Sequence, residues 1–192
     1  MFLELVKNRR SVRRFSKRPV EHEKIRLCLE AARLAPSACN AQPWKFLVFD
    51  DPVKREAICR AAGSGIYRPS GFVSGAPVVI VALNTKGKRL PNLAGRFQGK
   101  HYPLIDLGIA GEHLVLQAAE LGLGTCWVGW FSARAVSRLL GLPKEEKPVA
   151  LIPLGYPAED EGTRTPRKPL EEISSFNPEI RGQGSALHKR IR

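Results

Sequence analysis

The sequence predicts a domain of mixed α and β structure, α/β or α+β, on three observations. Apolar residues recur at three- and four-residue steps over residues 19–35 and again over 103–121, which marks helices with one buried stripe. Residues 76–84 are almost wholly apolar, the pattern of a strand covered on both faces. Helix and strand signals alternate along the chain instead of falling into separate halves.

The elements follow in order. In the segment 19–35, Ile25, Cys28, Leu29 and Ala32 form the stripe, and Pro36 ends the helix near Ala35, because a proline disfavours helix in the residue before it. Residues 45–49 read as a short strand. Asp51 then caps a helix that opens with Pro52 and runs to about Ala62, since proline suits the first helical position. Residues 63–75 are rich in Gly, Ser and Pro and read as a loop. Residues 76–84 are the buried strand, and 86–100 are basic, glycine-rich and irregular.

Ile105, Ile109, Glu112, Leu116 and Ala119 follow one another at helical steps in the longest helix, which Gly122 and Gly124 bring to a stop. Residues 125–128 read as a strand, Ser132 as the cap of a helix ending at Gly141, and residues 148–154 as a further strand. After Gly155 the chain is polar and proline-rich. Such a tail stays loose or wraps a neighbour.

The 192 residues suit one domain with a small appendage, and 43% apolar with 26% charged residues is ordinary for a globular chain. The longest apolar run, residues 76–83, is far too short to span a bilayer. The first residues lack the long apolar stretch of a signal peptide, so a cytoplasmic protein is expected. Cys28, Cys39, Cys59 and Cys126 form no C-x-x-C pair and have no histidine at finger spacing. The arithmetic speaks against a zinc site and for free thiols, with Cys28 and Cys59 as small core residues. The unusual feature is charge: 31 Lys+Arg against 18 Asp+Glu, a net +13. Nucleic acid is the first partner such a surplus suggests, yet no helix-turn-helix, RNA-binding sheet motif or finger is present.

Four segments carry chemistry. Arg9-Arg10-Ser11-Val12-Arg13-Arg14-Phe15 offers guanidinium forks and a hydroxyl to a phosphate; it also reads as a solvated basic arm. Ala35-Pro36-Ser37-Ala38-Cys39-Asn40-Ala41-Gln42-Pro43-Trp44 is a rigid loop able to offer hydrogen bonds to a planar ligand, or a tight helix-to-strand connection with Trp44 in the core. Gly122-Leu123-Gly124-Thr125-Cys126-Trp127-Val128-Gly129-Trp130-Phe131 lacks the dinucleotide fingerprint, because its glycines end a helix instead of starting one. Gly129 lets backbone approach a neighbour, and Trp127 reads as part of a buried strand. Arg164-Thr165-Pro166-Arg167-Lys168-Pro169-Leu170 is a basic cluster at a predicted helix start, or a solvated tail.

In this order and at this spacing, the four segments, together with Leu154-Gly155-Tyr156-Pro157, resemble the nitroreductase family of FMN-dependent oxidoreductases. The resemblance extends to about Ile173 and implies a domain over 1–173 with a basic tail over 174–192. It implies an α+β homodimer with a central, mainly antiparallel sheet flanked by helices. FMN would lie at the dimer interface, with a C-terminal extension wrapping the partner subunit. By position, Arg9, Ser11, Arg167 and Lys168 would hold the FMN phosphate, with Arg10 sharing that work. Arg13 would stand near N1 and the C2 carbonyl of the flavin, where a cation favours the reduced state. Pro36, Ser37 and Ala38 would line the ring or ribityl chain. Asn40, with Gln42 beside it, would contact FMN from its own or the other subunit. The backbone of Val128, Gly129 and Trp130 would meet the ring edge near N5.

The resemblance assigns no catalytic side chain, because flavin N5 takes the hydride. NADH or NADPH is the implied donor and a small organic molecule such as a nitroaromatic or quinone the acceptor, in ping-pong order. Several relatives carry an acidic residue where this chain has Val128-Gly129-Trp130, which leaves the backbone contact but makes the edge less polar. Residues 86–102 would form the pocket rim, with Phe97, His101 and Tyr102 as candidate contacts, or a solvated loop. The family also holds flavin-destroying, dehalogenating and dehydrogenating members, so its fold and cofactor do not give the substrate. A flavin store or sensor without turnover and a basic nucleic-acid-binding module are the competing readings. Nineteen of the 31 basic residues lie in segments 1–18, 86–100, 164–168 and 181–192. Two of these are the segments assigned to phosphate, so the charge reads as a field that draws in phosphorylated ligands.

Overall fold

The computed structural model describes residues 1–85, 99–158 and 165–178. Most of the predicted rim, Phe97 included, lies outside the described residues, as do Arg164 of the basic cluster and most of the basic C-terminus. The chain divides into two compact units, Met1–Glu161 and Gly162–Arg192.

The first unit is built on a four-stranded sheet of order β1-β2-β4-β3. Its strands are β1 (Trp44–Phe49), β2 (Val78–Asn84), β3 (Gly124–Thr125) and β4 (Lys147–Gly155). Every neighbouring pair is antiparallel, so the mixed class resolves to α+β. β2 is fully buried from Val78 to Leu83, because helices cover both faces of the sheet. Val78, Ile80 and Ala82 point to one face, where they meet α2 (His22–Arg33) and α4 (Tyr102–Glu120). Val79, Val81 and Leu83 point to the other, against α3 (Pro52–Ala62), the 3₁₀ segment Gly65–Gly75 and α5 (Ala133–Leu139). The period-two alternation of one strand thus supplies both cores.

Local signals explain most boundaries. The Asp51 carboxylate accepts the Lys54 N–H at 2.9 Å and Pro52 opens α3, as predicted. α4 closes with Gly122 at φ +74°, while the Leu123 N–H reaches the Ala118 carbonyl and the Gly122 N–H that of Ala119. This pair of bonds satisfies the last carbonyls around a left-handed residue.

Five expectations change. Residues 63–75, predicted as a loop, contain the 3₁₀ segment, whose three-residue turns suit its glycines. A helix not predicted, α1 (Phe2–Asn8), opens the chain with no buried residue. Ser132 stands at the N-cap of α5 without a side-chain cap bond, its N–H going to the Ala62 carbonyl. The buried face of α4 is Leu107, Ala110, Gly111, Leu114, Val115 and Ala118, while Ile105 is half exposed; the helix is apolar nearly all round, so periodicity alone does not choose its face. The predicted strand 125–128 is broken: β3 ends at Thr125, and Val128 rejoins β4 only by a bridge to Leu151. Thr125 faces Leu154 and Val128 faces Leu151, so Cys126 stands opposite Pro153. Val128 and Leu151 exchange both N–H···O bonds, and alternation requires the next such pair at Pro153, which has no N–H to give.

Tyr156, just after β4, ties the sheet to the start of α2. Its hydroxyl donates to Glu21 at 2.7 Å and accepts from Lys24 at 2.8 Å, while the Arg18 guanidinium lies over its ring at 3.9 Å. The Tyr156 hydrogen bond above all, with the Glu21 backbone N–H and the Arg18 guanidinium, lowers the Glu21 carboxyl from 4.5 to about 2. Its contribution to stability is therefore full above pH 4.5 and is lost as pH falls toward 2. Tyr156→Phe is expected to flatten the fall of the urea midpoint between pH 4.5 and pH 2 relative to wild type, as measured by denaturation at a series of pH values.

In the second unit, α6 (Leu170–Ile173) is one turn, and Leu170, Ile173 and Phe176 are exposed.

Candidate functional site

The N-terminal segment after α1 runs in extended form beside β3 and the end of β4. The Val12 N–H bonds to the Thr125 carbonyl at 2.8 Å, Ser11 bridges Thr125, and Phe15 bridges Pro157. Val12 turns inward and is buried, so Ser11 and Arg13 turn outward, as strand alternation demands. The close approach needs Gly124: a Cβ there would stand 2.5 Å from Val12 Cγ2.

Arg9, Ser11 and Arg13 lie near enough to the buried Cys126 thiol to act on it electrostatically. Burial pushes that thiol up, while the Arg13 and Arg9 charges and a hydrogen bond with Ser11 pull the other way. The first and third sequence segments are therefore one place in the fold. Two cations and a hydroxyl gathered there form a donor set suited to an anion. The Arg9 Nε also faces Glu112 Oε1 at 3.8 Å, with its side chain only 17% exposed. Glu112 Oε2 accepts the Trp127 Nε1–H at 3.3 Å. The carboxylate orients Arg9 from α4. Arg13 lies 6.0 Å from the centre of the Phe72 ring.

Trp127 corrects an expectation. It is 36% exposed instead of buried, because Cys126 and Val128 take the inward positions on either side of it. Its ring lies against Gly111, where any Cβ would collide with it. Beyond Val128, Gly129 and Trp130 face outward, and Trp130 packs against Tyr67 at 5.1 Å between ring centres, the rings tilted by 52°. A Cβ on Gly129 would meet nothing within 4 Å. Packing within the chain therefore does not require glycine there, and the open backbone suits the edge of a planar ligand.

The loop after α2 is the most strained part of the described chain. Cys39, Asn40 and Gln42 have φ of 53°, 50° and 47°, a region that costs a non-glycine residue about 1–3 kcal/mol and persists where surroundings over-determine it. Ser37 supplies two restraints: its hydroxyl accepts the Gln42 N–H at 3.0 Å and its carbonyl the Asn40 N–H at 3.0 Å. The Gln42 side-chain amide donates to Asn40 Oδ1 at 2.8 Å. The Ala38 N–H goes to the buried Asp106 carboxylate of α4 at 3.1 Å. Pro36 is exposed and Ser37 and Ala38 half-buried, so the loop presents backbone to its surroundings. Trp44 packs against the first core.

Arg10 is exposed. Arg167 and Lys168 lie in the second unit, where the Arg167 guanidinium donates to the Thr165 carbonyl at 3.1 Å and Lys168 pairs with Glu172 at 3.4 Å. They precede a helix of four residues. Asp106, Glu112, Phe72 and Tyr67 are additions that no sequence motif indicated. No group of metal-ligating side chains occurs among the described residues, and no helix among them is long and apolar enough to cross a membrane.

The model of the Nitroreductase family matches residues 6–69 and 68–156. A protein of Methanothermobacter thermautotrophicus named putative NADH dehydrogenase/NAD(P)H nitroreductase is 34% identical over 84% of this chain and 80% of its own length. The structure of an FMN-dependent nitroreductase from Clostridium difficile superposes with a TM-score of 0.73 at 26% identity, covering 92% of this chain and 99% of that one. An iodotyrosine deiodinase of Haliscomenobacter hydrossis is 28% identical over 82% of this chain and 80% of its own.

Proposed function

Because this chain belongs to the nitroreductase family, and so to the FMN-dependent NAD(P)H oxidoreductases, we propose that it delivers a hydride from NADH or NADPH to a small planar acceptor such as a nitroaromatic or quinone. The observation that supports the reading is the docking of the Arg9–Arg13 segment on Thr125, close in sequence to the outward-facing backbone of Gly129 and Trp130.

FMN, when bound, supplies a two-electron carrier between donor and acceptor. The chain's own residues bind and orient. Arg9 and Ser11, with Arg10 sharing, would hold the phosphate; the family pattern gives Arg167 and Lys168 the same role. Arg13 would place a positive charge at the N1 and C2-carbonyl side of the ring, where it would favour the reduced form. Pro36, Ser37, Ala38, Asn40 and Gln42 line the ring and ribityl chain with a loop already folded. Val128, Gly129 and Trp130 give the ring edge an open backbone, and the Tyr67–Trp130 pair offers an apolar wall that excludes water from one side. No side chain is asked to act as nucleophile or general base. The half-exposed Leu104 and Ile105 of α4 support a homodimer, since a second copy would remove that apolar surface from water. A cytoplasmic location belongs to the same proposal.

The purified protein is expected to be yellow, and to bleach when NADH or NADPH is added without oxygen, as followed by absorbance in the flavin bands. Colour should return on adding a quinone or nitroaromatic. A colourless protein that takes up no added FMN would overturn the reading. A yellow protein that oxidises neither nucleotide with any acceptor would be a flavin store or sensor.

A further inference from the structure

We propose that Asp106 is a positioning residue: by accepting the Ala38 N–H, its carboxylate fixes the place of the strained 37–42 loop and so its grip on the cofactor. The inference rests on the assignment of that loop to FMN. Asp106 is 4% exposed, one of two buried polar residues among the described ones, the other being Thr125. It sits in an apolar part of α4, beside Leu107 and Ala110. A carboxylate is costly to bury, and the described residues give it no ion pair. Its carboxylate accepts the Ala38 N–H at 3.1 Å.

The geometry of the loop shows why one bond matters. The bonds from Ser37, Asn40 and Gln42 are internal, and they set the loop's shape without setting where it stands against the fold. Its far end is fixed by the Pro43 carbonyl, which accepts the Thr85 N–H at 2.9 Å. Between that point and α2, the Ala38–Asp106 bond ties the loop to a helix of the core. Three left-handed residues follow within four positions, so a loop released at Ala38 can relax toward less strained backbone. A site depends on geometry held to a fraction of an ångström by such supports.

The test compares Asp106→Leu, which removes the acceptor at similar size, with Asp106→Asn, which keeps an acceptor oxygen. A core control, Leu114→Ala, lowers stability away from the loop. FMN affinity is read by quenching of flavin fluorescence, global stability by urea unfolding of the apoprotein, and loop closure by hydrogen exchange at the Ala38 amide. Asp106→Leu is expected to weaken FMN about ten- to a hundredfold, the scale of one lost charge-assisted bond. It should also speed exchange at Ala38 while β2 and β4 keep their protection. Asp106→Asn should recover most of the affinity, and Leu114→Ala should lose stability but keep affinity. Wild-type affinity in Asp106→Leu would overturn the proposal, as would affinity losses that follow global stability across all three variants. Should Asp106→Leu fail to fold, Asp106→Asn must still show faster Ala38 exchange than wild type, and unchanged exchange would overturn the idea. If wild-type protein itself binds no FMN, the cofactor reading fails and carries this one with it.

Discussion

Arg9→Ala is expected to weaken FMN binding about ten- to a hundredfold, the equivalent of roughly 1.5–3 kcal/mol for one charge-assisted hydrogen bond. The side chain is largely covered, so the guanidinium is held instead of waving in water. Glu112 stands at 3.8 Å, long for a tight ion pair, which leaves the fork able to serve a phosphate. Arg9→Lys should fall between wild type and Arg9→Ala, since an ammonium keeps the charge but loses the paired donors. Arg167→Ala should show a loss of the same order on the family pattern. Fluorescence titration at two salt concentrations checks both. Wild-type affinity in both alanine variants would remove the phosphate assignment.

Gly124→Ala should cost about 1–3 kcal/mol of stability, as overpacking does, or a few degrees of melting temperature per kcal/mol in a domain of this size. The new Cβ would stand 2.5 Å from Val12 Cγ2 and 2.7 Å from Val12 Cβ. No rotamer moves a Cβ, and valine is stiff besides, so the strain passes to the backbone that bonds Val12 to Thr125. Ser11 and Arg13 move with it, and FMN affinity should fall together with melting temperature. Gly129→Ala is the contrast. With nothing within 4 Å, it should change the apoprotein's stability by no more than about 0.5 kcal/mol while lowering FMN affinity. Thermal melts of apo and FMN-loaded protein separate the two effects.

What could be read from the sequence depended on how local the physics is. α3 was legible because Asp51 and Pro52 act on the first turn they belong to. β2 was legible because an unbroken apolar run admits few other fates. The face of α4 was misread because apolar residues surround it, and only the packing of α2 and the sheet selects one side. The break after Thr125 was hidden, since its cause is Pro153 on another strand. The same holds for the site. Composition leaves the basic segment and the loop open to a bland reading, and only their order along the chain points to a cofactor, whereas Glu112 acts on Arg9 and Trp127, each remote in sequence. Asp106 left one clue, an acid inside an apolar stretch of helix, which signals function only once Ala38 is seen beside it.

The docking of residues 9–16 against β3 and the end of β4 also sets an order of events during synthesis. This segment leaves the ribosome more than a hundred residues ahead of its partners Thr125, Tyr156 and Pro157. At a translation rate of about 5–20 residues per second, the arginines wait on the order of ten seconds for the surface they dock on. Until then the nascent chain exposes a basic arm with nowhere to fold. On the proposed assignment of the arginines to FMN, flavin capture waits until β4 has emerged, and a truncated product ending before β4 should carry no colour.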